Sequence, residues 1–338
     1  MFQALQSSQE YLRYNPLPLR AKETLNNPHR IDVHHHPSPP SYIAARDQRN
    51  RSSAWKQEQW SPQKSLDDMD EGGVATAVLS LPHPVSIWPA DIEEGRRMAR
   101  EWNEYMAQMA RDYPGRFGVF AALPILDIEG SLREAEYALD TLGAAGIGLM
   151  TNIGDRWLGD PHYAPLFEEL NRRKAVIYTH PVAPACCTSM LPDLGDATIE
   201  YGTDTTRAIA RMMFSGSAAR YPDLRVIFSH AGGTMPFLAE RLIRAPSLSK
   251  DNLGARVPNG VLHELQKFYY DTAQTSQPYA MASARKVIPT SQLLFGTDFP
   301  YRTSKEHALG LLLCGFNETE LRAIERGNAE RLLAGLVS

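Results

Sequence analysis

The chain has 338 residues, of which 43% are hydrophobic and 22% charged, so it is long enough for one large folded domain or two ordinary ones. Its net charge of −4 and the lack of a basic stripe argue against nucleic acid as a partner, and no apolar stretch is long enough to span a bilayer. The three cysteines do not make a disulfide framework, and the polar N-terminus lacks the apolar core of a signal peptide, so we expect a cytoplasmic protein.

The first part of the chain differs from the rest. Residues 1–29 are polar, contain the prolines of an NPLPL motif and show no sustained hydrophobic period. We interpret them as an N-terminal extension and residues 30–338 as a single main domain. All of the segments with a regular hydrophobic pattern then belong to the main domain.

Short apolar runs in the main domain alternate with longer amphipathic segments. The runs are rich in Val, Ile, Leu, Phe and Tyr and are nearly continuously apolar, which is typical of parallel strands covered on both faces. We predict strands over residues 30–36, 74–81, 116–123, 146–151, 174–180, 224–230, 266–272 and 292–298. We predict helices over residues 93–113, 129–143, 161–173, 203–220, 234–246, 276–287, 305–313 and 318–335.

The alternation of strand and helix indicates an α/β fold, and its repetition eight times favours a (β/α)8 TIM barrel. A doubly wound sheet is the alternative. It is disfavoured because no Gly-rich dinucleotide turn follows a strand and because polar residues end several well-separated strands. Residues 37–66 and 182–202 are too long for ordinary connections, so we predict that they are inserted loops over the C-terminal rim of the barrel.

Potential metal ligands occur where the predicted strands end. His34 and His36 share one face of strand one, because side chains alternate along a strand, and lie about 7 Å apart. His180 ends strand five, and Asp298 ends strand eight, the neighbour of strand one in a closed barrel. Three imidazoles and a carboxylate on one rim suit Zn²⁺ or Mn²⁺. His230 ends strand six, either as a fourth nitrogen ligand or as a free acid or base.

These residues are also compatible with roles other than metal binding or catalysis. A run of histidines at a strand end is compatible with solvated side chains, and Asp298 is compatible with the N-cap of a helix. The combination on one rim favours the metal site over these alternatives.

Several motifs together resemble a known family: IDVHHHPSPPSY, MDEGGVATAVLSLP, YPGRFGVFAALP, LNRRKAVIYTHP, DTTRAI, FSHAGGTMPFLAER, FGTDFPY and GNAERLL. From about residue 30 to the C-terminus, the chain resembles the amidohydrolase superfamily. Within it the chain resembles the decarboxylase branch, which includes aminocarboxymuconate-semialdehyde decarboxylase and γ-resorcylate decarboxylase, and it looks most like the 6-methylsalicylate decarboxylases. The resemblance implies an enzyme, a metal-dependent carboxy-lyase.

The resemblance also implies roles for individual residues. It implies four metal ligands, His34, His36, His180 and Asp298. His230 would be a catalytic residue beside the metal, Arg241 would reach the substrate carboxylate across a dimer interface, and Tyr301 would be a further substrate contact. We therefore expect a homodimer, with a tetramer as the alternative. One ion is expected rather than two, because residues 146–152 lack the lysine that bridges two metals in bimetallic members of the superfamily.

The implied reaction is the non-oxidative decarboxylation of a hydroxyaryl acid, with conversion of 6-methylsalicylate to 3-methylphenol (m-cresol) and CO₂ as the first candidate. Resorcylates, orsellinate-like acids and carboxylated pyrimidines fit as well. A metal chelated by phenolate and carboxylate would act as Lewis acid and template. The ring carbon would receive its proton from Asp298 assisted by His230, or by a route in which metal-activated water works with His230 as base.

Two other classes of function are compatible with parts of the sequence. A metal-dependent hydrolase of a cyclic amide or lactone could use the same four ligands, but the resemblance to the decarboxylase branch opposes it. A non-catalytic barrel that serves as a scaffold would be expected to have lost a ligand, and all four are present.

Overall fold

The computed structural model describes residues 29–48, 60–82 and 91–336. All but the last residue of the predicted N-terminal extension lies outside the described residues. The division of the chain at residue 30 therefore stays a prediction. Of the helices in the described residues, none combines the length and the hydrophobicity that crossing a membrane requires.

The predicted barrel is confirmed: within the described residues, eight parallel strands pair in chain order around a nearly closed barrel. These strands are Arg30–His35 (β1), Val74–Leu79 (β2), Phe117–Ala122 (β3), Gly146–Met150 (β4), Val176–His180 (β7), Arg225–Phe228 (β8), Tyr269–Asp271 (β9) and Leu293–Leu294 (β10). A short antiparallel hairpin, Asn152–Ile153 (β5) and Arg156–Trp157 (β6), follows β4. The strands are almost entirely buried, as expected for a sheet covered on its outer face by helices.

The last strand is shorter than the prediction of 292–298, because the backbone leaves regular pairing before it reaches the rim. Asp298 has a left-handed φ of 68°. The barrel nevertheless closes, since the amide of Asp298 donates to the carbonyl of His34 at 2.8 Å and the amide of His36 donates to the carbonyl of Phe299 at 2.8 Å. This irregular closure brings Asp298 beside His34 and His36.

Helices surround the barrel, mostly at the predicted places. They are Pro40–Gln48 (α1), Pro62–Gly72 (α2), Ile92–Asp112 (α3), Ile128–Asp140 (α4), Ala164–Arg172 (α5), Glu200–Phe214 (α6), Ser217–Arg220 (α7), Met235–Leu248 (α8), Val261–Lys267 (α9), Pro278–Val287 (α10), Ser304–Leu312 (α11), Glu318–Arg322 (α12) and Asn328–Leu332 (α13). A π-helical turn, Ala323–Gly327, joins α12 to α13, so the terminal helix predicted over 318–335 is not uniform.

Some predicted boundaries are wrong for local reasons. The helix predicted over 203–220 begins earlier, at Glu200, and breaks at Gly216, whose φ of 85° no α-helix accommodates. The strand predicted over 266–272 begins three residues later, because its first residues belong to helix α9. Apolar residues at the end of an amphipathic helix cannot be told from a buried strand by their pattern alone.

The two long connections are also more regular than predicted. The connection 37–66 contains α1 and the start of α2, and its residues 49–59 lie outside the described residues. Tyr42 of α1 packs edge-on against Trp102 of α3, with 5.4 Å between ring centroids. The connection 182–202 ends at the rim, since the Tyr201 ring lies 6.1 Å from that of His180.

The apolar core extends up to the candidate site. Phe120 of β3 and Tyr178 of β7 stack with 5.1 Å between their ring centroids. The Tyr178 ring in turn lies edge-on to the ring of His34 at 5.3 Å. Both aromatic residues are fully buried, so tight packing limits the positions that the His34 ring can adopt.

Candidate metal centre

Four side chains converge at the C-terminal rim as the sequence predicts. One potential ligand atom from each of four buried residues lies within 4.8 Å of the other three, and the residues are His34, His36, His180 and Asp298. The Nε2 atoms of His34 and His36 lie 3.1 and 3.2 Å from Oδ1 of Asp298. Three nitrogen donors and one carboxylate oxygen form the donor set that Zn²⁺ or Mn²⁺ accepts.

The hydrogen bonds of His34, in β1, and of His36, directly after it, indicate that the cluster favours a positive charge at its centre. The Nδ1 atom of His36 lies 2.8 Å from the carbonyl oxygen of Ser80, which can only accept, so this nitrogen carries the proton. The Nδ1 atom of His34 likewise donates to Oδ2 of Asp271 at 2.8 Å. In neutral rings each Nε2 then has a lone pair, yet the two Nε2 atoms are 3.0 Å apart. Two lone pairs and a carboxylate oxygen repel each other unless a positive charge lies between them.

The protonation equilibria of the cluster agree with this reasoning. Burial by itself lowers the pKa of His34, but the carboxylates of Asp271 and Asp298 outweigh burial and raise it to about 10. Burial would raise the pKa of Asp298, but the charge of His34 and contacts with His230 hold it well below its usual range. Burial lowers the pKa of His36 and outweighs the contact with Asp298. The site thus attracts positive charge, and a proton on His34 takes that place without a metal.

His230 lies beside the four potential ligands rather than among them. Its Nε2 atom is 3.5 Å from Oδ2 of Asp298, and its ring centroid is 5.1 Å from that of His34. It begins a short 3₁₀ turn, His230–Gly232, with a left-handed φ of 55°. The chain then passes so close to Gly202 that a Cβ at Gly233 would lie 2.0 Å from the Gly202 carbonyl oxygen, so this turn requires glycine.

Two further side chains that contact the cluster were missed by the sequence analysis. Asp271 ends β9 and accepts from His34, and Gln274 donates to Oδ2 of Asp298 at 2.8 Å. The signal for Asp271 was present in the sequence, because it is a carboxylate at the end of the predicted seventh strand and therefore on the same rim. Gln274 lies in the loop after that strand, and no pattern indicated it.

The other polar residues of β1 support the site without entering it. Asp32 accepts from the amide of His34 at 3.0 Å and from the amide and hydroxyl of Thr297, which ties β1 to the segment that carries Asp298. His35 stacks on Phe299 with 4.6 Å between ring centroids. The pairing of β1 with β2 is irregular between Asp32 and His35, so the simple alternation assumed for this strand does not hold throughout.

The two predicted substrate contacts have different environments. The ring of Tyr301 lies 6.0 Å from the ring of His36, next to the cluster. Arg241 is exposed on α8, whereas the four potential ligands are buried. Tyr201, which was not predicted, lies next to His180, with 6.1 Å between ring centroids.

Comparisons with known proteins identify the family of the chain. Residues 31–335 match the model of the amidohydrolase family. The chain is 38% identical to Decarboxylase yanB of Aspergillus niger, over 90% of this chain and 87% of that protein. It is 33% identical to 6-methylsalicylic acid decarboxylase of Penicillium expansum, over 80% of this chain and 85% of that protein.

A solved structure shows the same fold. It is a dihydroxybenzoic acid decarboxylase of Polaromonas sp. JS666 with bound manganese and the inhibitor 2-nitroresorcinol. The two chains are 24% identical, with a TM-score of 0.78 over 90% of this chain and 97% of the other. The family match, the identity to named decarboxylases and the four-ligand site lead to one conclusion. The chain belongs to the amidohydrolase family, within its branch of metal-dependent, non-oxidative decarboxylases of aromatic acids.

Proposed function

We propose that the protein decarboxylates a hydroxyaryl carboxylic acid and that its substrate is 6-methylsalicylate, which it converts to 3-methylphenol and CO₂. The observation that carries the proposal is the cluster in which Nε2 of His34, Nε2 of His36 and Oδ1 of Asp298 lie 3.0 to 3.2 Å from one another, an arrangement that a positive charge stabilises. The choice of acid is supported by the 33% identity to a 6-methylsalicylic acid decarboxylase.

One divalent ion, Zn²⁺ or Mn²⁺, would be held by His34, His36, His180 and Asp298. When bound, such an ion supplies Lewis-acid charge to a phenolate and an adjacent carboxylate. Manganese is supported by the related structure that contains it, and zinc by the predominance of imidazole nitrogen among the donors. The hydrogen bonds from His34 to Asp271 and from His36 to the Ser80 carbonyl hold both Nε2 atoms toward the centre.

The reaction consumes one proton for each CO₂ released. The ring carbon gains a proton, its bond to the carboxylate breaks, and the electron pair of that bond restores the aromatic ring. We assign the proton transfer to His230 and Asp298 together, because Nε2 of His230 lies 3.5 Å from Oδ2 of Asp298. His230 would supply the proton.

Recognition of the substrate carboxylate would involve a second copy of the chain. Arg241 is exposed on α8, and large apolar side chains near it are exposed as well: Phe237 is 85% exposed and Leu248 of the same helix 73%. Tyr279, on the neighbouring helix α10, is 76% exposed. Large exposed apolar side chains on neighbouring helices are typical of interfaces, so we propose a homodimer in which Arg241 reaches the partner's site. Tyr301 would contact the ring from the same chain.

A cytoplasmic location is supported by the thiols. Cys186, Cys187 and Cys314 are all free, and a reducing compartment keeps thiols in this form.

The test is release of CO₂ from 6-methylsalicylate by the purified protein, before and after treatment with a chelator, and after addition of Zn²⁺ or Mn²⁺. We expect the chelator to abolish release and one of the metals to restore it, with 3-methylphenol formed in equal amount. Cyclic esters and amides serve as the comparison substrates. Ring opening of these without CO₂ release from any hydroxyaryl acid would contradict the proposal.

A further inference from the structure

Asp271 is a buried carboxylate that contacts the ring of His34 with one oxygen and the backbone of His230 with the other. Its Oδ2 atom accepts from Nδ1 of His34 at 2.8 Å. Its Oδ1 atom accepts from the backbone amide of His230 at 2.9 Å and from that of Ala273 at 3.0 Å. Asp271 and His34 are fully buried, so water does not compete for these hydrogen bonds. One oxygen of Asp271 therefore holds a potential metal ligand, and the other holds the backbone of the proposed proton donor.

We propose that Asp271 is a positioning residue that couples metal binding by His34 to the placement of His230. Its Oδ2 atom keeps the proton of His34 on Nδ1, which leaves Nε2 available to an ion. Its Oδ1 atom fixes the backbone of His230 at the start of the left-handed turn, a conformation that few residues adopt without support. The expected effect of Asp271 on metal affinity depends only on the four potential ligands. Its expected effect on catalysis through His230 rests on the proposed function.

We expect that even the isosteric substitution Asp271→Asn loses one of the two hydrogen bonds. Both partners of Asp271 are donors: the Nδ1–H group of His34 and the N–H group of His230. An asparagine offers one oxygen and one amino group, so in either orientation a donor faces a donor. Gly296 packs closely against this side chain, since a Cβ at Gly296 would lie 2.9 Å from the Cβ of Asp271. A carboxylate accepts both hydrogen bonds, and an amide does not.

The experiment compares Asp271→Asn and Asp271→Ala with the wild type and with Asp68→Asn as a matched control. Asp68 is also a buried aspartate that accepts hydrogen bonds from a backbone amide and a side chain, but its partner is Ser304 rather than a site histidine. Dissociation constants for Mn²⁺ and Zn²⁺ are measured by competition with a chromophoric chelator. Exchange of the His230 amide hydrogen is measured by mass spectrometry on metal-loaded protein.

We expect both Asp271 variants to bind metal about 10 to 100 times more weakly and to exchange the His230 amide faster, while Asp68→Asn changes neither. Metal affinity within about two-fold of wild type in Asp271→Asn would overturn the proposal, because the loss expected from an outer partner of a ligand is larger. Unchanged exchange at His230 would overturn the coupling. Both readouts are independent of substrate, so they remain decisive if the protein decarboxylates a different acid or none.

A measurement on the wild-type protein covers the case in which neither variant folds. In the metal-free protein labelled with ¹⁵N-histidine, the His34 ring should show a proton on Nδ1 that exchanges slowly, because a buried carboxylate holds it. Assignment uses the signal that is lost in His34→Gln. A His34 ring with its proton on Nε2 alone would contradict the role of Asp271.

Discussion

The Nε2 atoms of His34 and His36 lie 3.0 Å apart, although in neutral rings neither nitrogen has a proton to donate to the other. The cause is in the outer partners: Asp271 and the Ser80 carbonyl each hold the proton of one ring on Nδ1. The two lone pairs and the Asp298 carboxylate are therefore held in an arrangement that only a positive charge stabilises. Metal and proton compete for this position, which gives the first prediction.

Metal binding should depend on pH and should release a proton. In the absence of metal, the carboxylates around His34 raise its pKa to about 10 against the effect of burial, so its ring is protonated at neutral pH. A metal must displace this proton, and apparent affinity should rise about tenfold per pH unit below that pKa. Calorimetric titration in two buffers of different ionisation enthalpy measures the protons released. Binding of Mn²⁺ and Zn²⁺ without proton release would contradict the prediction.

Replacement of His230 by alanine should stop the reaction without loss of the metal. We expect kcat to fall by a factor of about 10² to 10⁴, because the group that supplies the proton is removed. Metal content should stay at the wild-type level, since His230 lies outside the cluster of four ligands. The measurement is CO₂ release together with metal analysis of the same sample. Turnover within a few-fold of wild type would show that His230 has no part in the proton transfer.

Replacement of Arg241 by alanine should weaken substrate binding through the partner subunit. We expect KM to rise about tenfold or more, because a charge-assisted hydrogen bond to the carboxylate is lost. Arg244→Ala is the matched control, since Arg244 is also an exposed arginine of α8.

The dimer can be tested by mixing Arg241→Ala with His230→Ala. In a mixed dimer one site combines an intact His230 with an intact Arg241 from the other chain, so activity should reappear after subunit exchange. A fully active monomer in sedimentation experiments would contradict the role of Arg241 across an interface.

The free energy of unfolding should change with pH in the weakly acidic range because of Asp68. Burial raises the pKa of Asp68 from 3.8 to about 6, against the hydrogen bonds from Ser304. Between these values the folded state retains a proton that the unfolded state has released, so the free energy of unfolding falls as pH rises through this window. The loss amounts to about 2 to 3 kcal/mol, since each pKa unit corresponds to about 1.4 kcal/mol.

Asp68→Asn cannot titrate and should not show this part of the pH dependence. Urea unfolding of the metal-free wild type and variant at several pH values between about 4 and 7 measures the difference between them. If the difference in free energy of unfolding between wild type and Asp68→Asn is the same at every pH, the pKa of Asp68 is not raised as its burial implies.

The sequence by itself predicted the barrel and the convergence of four potential ligands, because both follow from local hydrophobic patterns and from the parallel topology. Alternating apolar segments define strands and helices, and the parallel topology places every strand end on one rim, which brings His34, His180 and Asp298 together. The boundaries were less certain where helix and strand share an apolar pattern, as at α9 and β9.

Only the tertiary structure decided which nitrogen of each ring faces the centre. That choice depends on a hydrogen bond to a partner far away in the chain: Asp271 lies 237 positions from His34, and Ser80 lies 44 positions from His36. The position of His230 beside the cluster similarly depends on left-handed backbone angles at His230 and Ala231, which these residue types do not specify. Hydrogen-bond partners and unusual backbone angles are properties of packing between distant segments, whereas hydrophobic periodicity is a property of neighbouring residues. For this reason the residue types of the site could be predicted, but their protonation and orientation could not.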